Sequence, residues 1–269
     1  MENKETLKQE VHDFWNEASC GTFAAHSEKY TKAYYEEIEA YRYSKEPEIR
    51  EFAQFDKWKG KKVLEVGLGA GTDFLQWCRN GALAYGIDLT EEGIAHVQHR
   101  LHLYNLSAVE FKVADAESIP YPDNSFDLVY SWGVIHHSPD TEKAYSELVR
   151  VCKPGGEIRF MVYHYDSVLT RFFWLKHALL KLKPWKSKAW VLWNHMESIG
   201  TKAYTHKSIA AMMKPYKAEV LSITSPFTWY DTMQRHHPLL KIADAITPLF
   251  YNKEKNGWFL KMICRKTID

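Results

Sequence analysis

Residues Val63 to Asp73 read Val-Leu-Glu-Val-Gly-Leu-Gly-Ala-Gly-Thr-Asp, with glycines at alternate positions and a carboxylate, Glu65, just upstream of the first. A short apolar run that turns sharply into a helix leaves backbone N–H groups and a positive helix end facing a cleft. Glycines let the chain turn and let a ligand lie against the backbone. Gly67, Gly69 and Gly71 therefore predict a nucleotide-cofactor loop. Their spacing is one residue shorter at the third glycine than the G-x-G-x-x-G that seats a pyrophosphate on a helix start. Glu65 is poorly placed beside a phosphate. It suits a cofactor that carries an ammonium or a sulfonium. The competing reading is a tight strand–helix turn without a ligand, and three alternate glycines are a costly way to build one.

Two further carboxylates close later apolar runs. Asp88 ends Tyr85-Gly86-Ile87-Asp88, about 20 residues after the loop, where an acid can take both ribose hydroxyls. Its alternative role is a cap for the helix that opens at Glu91. Asp115, followed by Ala116, can accept a hydrogen bond from an adenine amino group; the alternative is a surface turn.

These residues need a frame that gathers them at one edge. Apolar runs at Val63–Val66, Leu83–Ile87, Val109–Val113, Phe126–Tyr130 and Glu157–Val162 read as strands. Helical patterns at Thr72–Arg79, Glu91–Leu103 and Thr141–Val151 separate them, the last closed by Lys153-Pro154-Gly155-Gly156. Regular alternation predicts a parallel sheet with helices on both faces. Right-handed crossovers put all strand C-terminal ends on one edge, where ligands bind. Gly67–Gly71, Asp88, Asp115 and Ser131–His137 should line one cleft there. Ahead of the sheet, residues 5–17 form a helix with Leu7, Val11, Phe14 and Trp15 on one face. A second helix runs over Ala24–Tyr43, and a third from Glu46-Pro47 through Phe55. Periodicity is lost from about Asp166 to Thr201. A helix at Thr205–Met213 and strands at Val220–Thr224 and Trp258–Cys264 follow.

Composition narrows the function classes. The chain has 269 residues and a net charge of +1, which argues against general nucleic-acid binding. Cys20, Cys78, Cys152 and Cys264 form no C-x-x-C pair, so no zinc knuckle or disulfide framework is expected, and a reducing cytoplasm fits. The N-terminus lacks an apolar signal core, and no run is long enough to span a membrane. No metal is expected: His236-His237 lacks a carboxylate at helical ligand spacing and reads as lid surface.

Val63–Asp73, Gly86-Ile87-Asp88, Ala114-Asp115-Ala116, Ser125-Phe126-Asp127-Leu128-Val129 and Leu148–Gly156 occur in the order found in class I, Rossmann-like S-adenosylmethionine-dependent methyltransferases. The sequence resembles their small-molecule branch, which includes the ubiquinone and menaquinone C-methyltransferases. The resemblance covers about residues 60–163, and 203–225 more weakly. It implies an α/β fold with a seven-stranded, mostly parallel, doubly wound sheet in order 3-2-1-4-5-7-6, strand 7 antiparallel. It implies an N-terminal helical lid at 1–57, a core at 58–165 and 203–269, and aromatic cap insertions at 166–202 and 226–256. Carried over by residue, Glu65, Gly67, Leu68, Gly69 and Gly71 hold the methionine end of S-adenosylmethionine. Asp88 binds the ribose, Leu89 flanks the adenine, and Asp115 with Ala116 reads its edge. Ser131 and Trp132 contact the cofactor from strand four. Tyr30 or Arg42 reaches the carboxylate. The product is S-adenosylhomocysteine.

Methyl transfer asks little of the protein, because the sulfonium already activates the methyl group. Alignment of the nucleophile and exclusion of water supply most of the effect. A base is needed only where the acceptor loses a proton, and His137 or His136, after strand four, can serve near neutral pH. Each has a packing or loop-bracing role as its alternative. His164 and Tyr165 are further candidates. The loop Ser131-Trp132-Gly133-Val134 lacks the Asn/Asp-Pro-Pro-aromatic pattern of exocyclic amino methylation of nucleic-acid bases, and no Pro-Cys occurs for cytosine C5 chemistry. Only Cys20 is placed to approach the site, too few for arsenic methylation. Residues 168–184 carry Leu169, Phe172, Leu175, Leu179 and Leu182 at helical spacing, with Arg171, Lys176, Lys181 and Lys183 beside them. This stretch either caps the cleft or lies on a membrane surface. Both roles favour a small-molecule acceptor that is apolar or aromatic, lipid-like or carrier-bound, methylated at oxygen or carbon. The rivals are an NAD-dependent Rossmann oxidoreductase, a non-catalytic cofactor-binding regulator or scaffold, and carboxymethyl or aminopropyl transfer from the same cofactor.

Overall fold

The computed structural model describes residues 4–232, 247 and 249–268. Its centre is β1 (Lys62–Val66), which pairs in parallel with β2 (Leu83–Asp88) on one side and β4 (Phe126–Trp132) on the other. β3 (Glu110–Val113) adds beyond β2, and β5 (Cys152–His164) beyond β4, again in parallel. β7 (Ala218–Thr224) and β8 (Phe259–Lys266) complete the order β3-β2-β1-β4-β5-β8-β7, and β8 runs antiparallel to both its neighbours. This is the expected topology with one addition. A two-residue strand, β6 (Ala203–Tyr204), pairs with Tyr163 and His164 at the end of β5. It makes the sheet eight-stranded and shifts the numbering of the last two strands.

The central strands β1 and β4 and the second half of β5 are buried on both faces, so they read as mostly apolar runs, whereas the edge strands β3 and β7 are half-exposed. Alternate residues enter separate cores: Val63 and Leu128 pack with α4 (Thr72–Arg79) and α5 (Glu91–Leu103), while Leu64 and Val129 pack with α6 (Thr141–Val151) and α9 (His206–Met213). Leu64 is fully buried, and truncating such a residue to alanine costs about 2–5 kcal/mol.

The three core helices α4, α5 and α6 have the expected bounds, because apolar spacing and a break specify each. Other boundaries move. Strand four runs through Ser131 and Trp132, which the sequence placed in a loop. Lys153–Gly156 does not stop the chain before β5; it lies inside that strand, where the register slips between Phe126 and Leu128 and Gly155 takes φ +78°.

Of the N-terminal helices, the first has the expected span and the next two are shorter than expected. α1 (Lys4–Glu17) buries Leu7 and Val11, but Phe14 is exposed. α2 spans only Lys32–Lys45, because Thr31 caps it and Tyr30 takes the left-handed φ of +68°. α3 is Glu48–Ala53. The basic stretch is not one helix either. α7 (Val168–His177) ends before Leu179, and α8 (Lys188–His195) follows a turn in which Leu182 has φ +55°. Leu169 is buried, whereas Leu179, Leu180, Leu182 and Trp185 are exposed. No helix among the described residues is long and apolar enough to cross a membrane. About half of the second expected insertion, including His236 and His237, lies outside the described residues.

Candidate active site

The C-terminal edge of the sheet carries a cavity of about 250 Å³, measured as the volume open to the centre of a water molecule. Glu65, Gly67, Leu68, Gly69, Asp88, Leu89, Asp115, Ala116, Trp132 and His137 all line it. Gly71, Ser131 and His136 do not. Gly71 takes φ +73° where α4 begins, and a Cβ there would press on Val97 and Arg100 at 3.1 and 3.4 Å, so its role is packing α4 on α5. The Ser131 hydroxyl donates to the Val66 carbonyl at 3.1 Å and ties β4 to β1. Tyr30 is also elsewhere, stacked on His99 with its hydroxyl donating to Glu92.

The glycine loop corrects one expectation. Its N–H groups do not face the cleft unpaired. Gly67 donates to the Ile87 carbonyl, Gly71 to Leu68, and Leu68 and Gly69 both donate to Asp88 Oδ2, at 2.7 and 3.0 Å. The other Asp88 oxygen accepts from the Thr90 N–H and hydroxyl at 2.9 and 2.7 Å. A dinucleotide loop must keep its donors for a pyrophosphate; here the protein's own carboxylate takes them. At Gly69 an added Cβ would meet nothing within 4 Å, so the backbone there opens directly onto the cavity. At Gly67 a Cβ would lie 2.1 Å from Val134, which explains that glycine by packing against the loop after β4.

Behind the loop lies a buried polar network. Glu65 is 3% exposed and accepts from the Trp77 indole N–H at 2.7 Å. Burial, and then the charge of Asp73, holds its carboxyl well above the usual range. Asp73 accepts from Arg42 Nη2 at 2.7 Å and from the Tyr43 and Tyr130 hydroxyls at 3.0 and 3.1 Å. Arg42 lines the cavity but is engaged with Asp73. Burial opposes its charge, yet Asp73 and Glu46 outweigh this and raise its pKa. Glu46 accepts from Trp132 Nε1 at 2.8 Å and the Tyr230 hydroxyl at 3.0 Å. The lining acids are Glu46, Glu65, Asp73, Asp88, Asp115 and Glu197, against Lys8 and Arg42 as the fully basic groups. This excess of acid suits a cationic cofactor and disfavours a pyrophosphate.

α1 crosses the cavity mouth. Lys8 pairs with Asp115 at 2.6 Å, and Lys4 with Asp140 at 2.7 Å. Asn16 accepts from the Glu92 N–H at 3.0 Å. Val11 and Trp15 face inward. Asp115 is thus shared between the lid and any adenine edge.

The far end of the cavity is apolar and aromatic. It is lined by Trp132, Met161, Tyr163, Leu169, Phe173 and Trp258, among others, with Tyr163 stacked on Trp258 at 4.1 Å. Its polar corner is built around His137. Thr201 donates its hydroxyl hydrogen to the Ser198 carbonyl at 2.7 Å, so its 3.1 Å contact with His137 Nδ1 is a hydrogen bond in the Nδ1–H tautomer, in which the Ser198 hydroxyl oxygen at 3.0 Å also accepts. The neutral ring then carries its lone pair on Nε2, 3.4 Å from Glu197 Oε2. Tyr163 donates its hydroxyl to the same Oε2 at 2.7 Å. His136 is fully buried, between the rings of His137 and Tyr163 at 4.2 and 4.0 Å. Burial, reinforced by His137 and Lys202, pushes its pKa well below the ordinary value. His164 turns away, with Nδ1 at 3.0 Å from the Gly257 carbonyl. Cys20 is accessible from inside the cavity, and the protein surrounding it pushes its thiol up to about 12.

Glu197, Thr201, Ser198, Glu46 and Gly93 stand against candidate site residues and were not singled out by sequence reasoning. A Cβ on Gly93 would meet the Asp88 carboxyl carbon at 2.6 Å. Glu197 and Thr201 fall in the stretch without periodicity, which offered no local signal. The capping order Thr90 to Gly93 does mark a helix start, but nothing there shows that the helix must leave room for Asp88.

Residues 64–160 match the family described as "Methyltransferase domain". Phosphoethanolamine N-methyltransferase 2 of Caenorhabditis elegans is 36% identical over 116 residues, which is 43% of this chain and 26% of that protein. The chain therefore spans about a quarter of that relative's length. In fold, the chain is similar to geranyl diphosphate C-methyltransferase from Streptomyces coelicolor, solved with Mg2+, geranyl diphosphate and S-adenosyl-L-homocysteine. The TM-score is 0.64 at 11% identity, covering 97% of this chain and 98% of that one. The cyclase SpnF is similar with a TM-score of 0.58 at 17% identity, over 98% of this chain and 95% of that one. Over residues 64–160 the chain is thus similar to methyltransferase domains, and its fold is that of the solved methyltransferase.

Proposed function

We propose that this protein transfers a methyl group from S-adenosylmethionine to a small apolar or aromatic acceptor, at oxygen or carbon, by direct displacement. The observation that carries this is one continuous cavity that runs from the glycine loop and its acids to an aromatic chamber. The cofactor supplies a methyl group already activated by its sulfonium. Glu65, beside the open backbone at Gly69, suits the ammonium of its methionine end. Asp88 faces the ribose, Leu89 packs beside the adenine, and Asp115 with Ala116 meets the adenine edge.

What the chain adds is position and dryness. Aromatic walls fix a flat or apolar acceptor, and α1 with Trp15 closes the mouth, so that the nucleophile meets the methyl group in line and away from water. The corner made by His137, Glu197 and Tyr163 receives the polar end of the acceptor. The wall chemistry fits the quinone-modifying branch that the sequence resembles, as well as lipid-like or carrier-bound acceptors.

Calorimetry with S-adenosylhomocysteine and with NAD tests the cofactor. Binding of the former alone is expected; binding of NAD alone refutes the proposal. A methyl-transfer screen over phenols, quinols and acyl-carrier substrates then tests the acceptor class.

A further inference from the structure

The corner around His137 has more coordinating power than an acceptor contact requires. Three groups from two separate segments, His136, His137 and Glu197, bring one ligand atom each to within 4.8 Å of one another. His137 Nε2 and Glu197 Oε2 stand 3.4 Å apart. Two zinc ligands at about 2.1 Å in tetrahedral geometry stand roughly 3.4 Å apart. In the Nδ1–H tautomer, which lets Nδ1 donate to the Thr201 and Ser198 oxygens, both atoms carry lone pairs. Two lone pairs facing each other call for a proton or a cation between them.

His136 separates these two explanations. It is fully buried, and neither of its ring nitrogens has a hydrogen-bond partner among the described residues. A buried imidazole without a partner is costly. A proton shared by His137 and Glu197 does nothing for it, whereas a cation at the corner gives it a bond. The second shell has the form that metal sites use. The His137 Nδ1–H is held by the Thr201 and Ser198 oxygens at 3.1 and 3.0 Å, and the Tyr163 hydroxyl orients the Glu197 carboxylate at 2.7 Å. Two imidazoles and one carboxylate select a first-row transition ion over Mg2+ or Ca2+, which prefer all-oxygen sites.

We propose that His136, His137 and Glu197 form a site for a divalent transition-metal ion at the acceptor end of the cavity, with an open position facing the chamber. The proposal does not rest on the methyl-transfer reading. An ion held there has a coordination site for an oxygen of the acceptor, such as a hydroxyl or carboxylate, and so selects acceptors that present one.

The test uses the untagged 269-residue chain, stripped with a chelator, desalted and reloaded with zinc or cobalt(II) alone. The expected result is about one equivalent retained per chain, with visible ligand-field bands for cobalt. His136→Asn and Glu197→Gln should each abolish retention, and Thr201→Val should weaken binding roughly 10- to 100-fold. Calorimetry with S-adenosylhomocysteine on the same samples reports the fold of each variant and keeps the two readings apart. A chain that binds this ligand but retains no metal overturns the metal site and leaves the cofactor assignment standing. Retention in both ligand variants equal to wild type also overturns it. If a variant misfolds, the wild-type cobalt spectrum decides, and its absence counts against the site.

Discussion

Gly93→Ala should weaken cofactor binding without unfolding the protein. Gly93 sits in the first turn of α5 with ordinary helical geometry, and alanine there favours the helix by about 1 kcal/mol. Yet the new Cβ would lie 2.6 Å from the Asp88 carboxyl carbon and 2.8 and 2.9 Å from its oxygens, so the carboxylate must move. Asp88 is 8% exposed and holds four donors: the N–H groups of Leu68 and Gly69 and both donors of Thr90. A hydrogen bond to a charged group contributes about 1.5–3 kcal/mol. Losing one such bond, or its ribose equivalent, corresponds to roughly 10- to 150-fold in affinity. Calorimetry with S-adenosylhomocysteine reads the loss, and thermal denaturation should stay cooperative with a midpoint only a few degrees below wild type, because the gain in helix propensity offsets part of the lost bond. The double variant with Asp88→Ala isolates the cause. Once the carboxylate is gone the methyl group has room, so Gly93→Ala should add nothing in that background. Wild-type affinity in the folded single variant, or additive losses in the double, would refute the steric argument.

Burial and Asp73 hold Glu65 above its usual range, and a cationic ligand favours its ionised form. Cofactor affinity should therefore rise with pH until Glu65 is ionised in the free protein, with proton release on binding; Glu65→Gln should flatten that slope in calorimetry across buffers. Trp77→Phe removes the one hydrogen bond that Glu65 receives from the indole and should cost about 1–3 kcal/mol in urea denaturation. Burial lowers His164 to about 4, so its neutral form belongs to the folded state. Its contribution is complete above the unfolded value near 6.5 and is lost as pH falls from there towards 4, up to about 3 kcal/mol. His164→Asn, which keeps a donor for the Gly257 carbonyl, should shallow the acid side of the stability–pH curve; an unchanged slope would discount His164 as its source.

Wherever chemistry depended on neighbours in sequence, it was legible. The strand–loop–helix at Val63–Arg79 is written in a run of buried residues, alternate glycines and an acid, because period and backbone freedom are local properties. The same holds for Asp88 and Asp115, since right-handed crossovers oblige successive strand ends to share an edge. The donor accounting was not legible. That Asp88 consumes the N–H groups of Leu68 and Gly69 follows from the parallel register of β1 and β2, and no spacing rule states it. The tyrosine-rich and basic helices were over-read for a related reason: composition favoured helix through Tyr30 and Leu182, and both residues take left-handed backbone angles as turns. The acceptor corner lay furthest beyond the sequence. His136 and His137 come from the loop after β4, while Glu197 and Thr201 arrive from a segment with no periodic signal. Side chains about 60 positions apart meet only once β5 carries the chain across the sheet and β6 returns it, so their partnership is a property of packing.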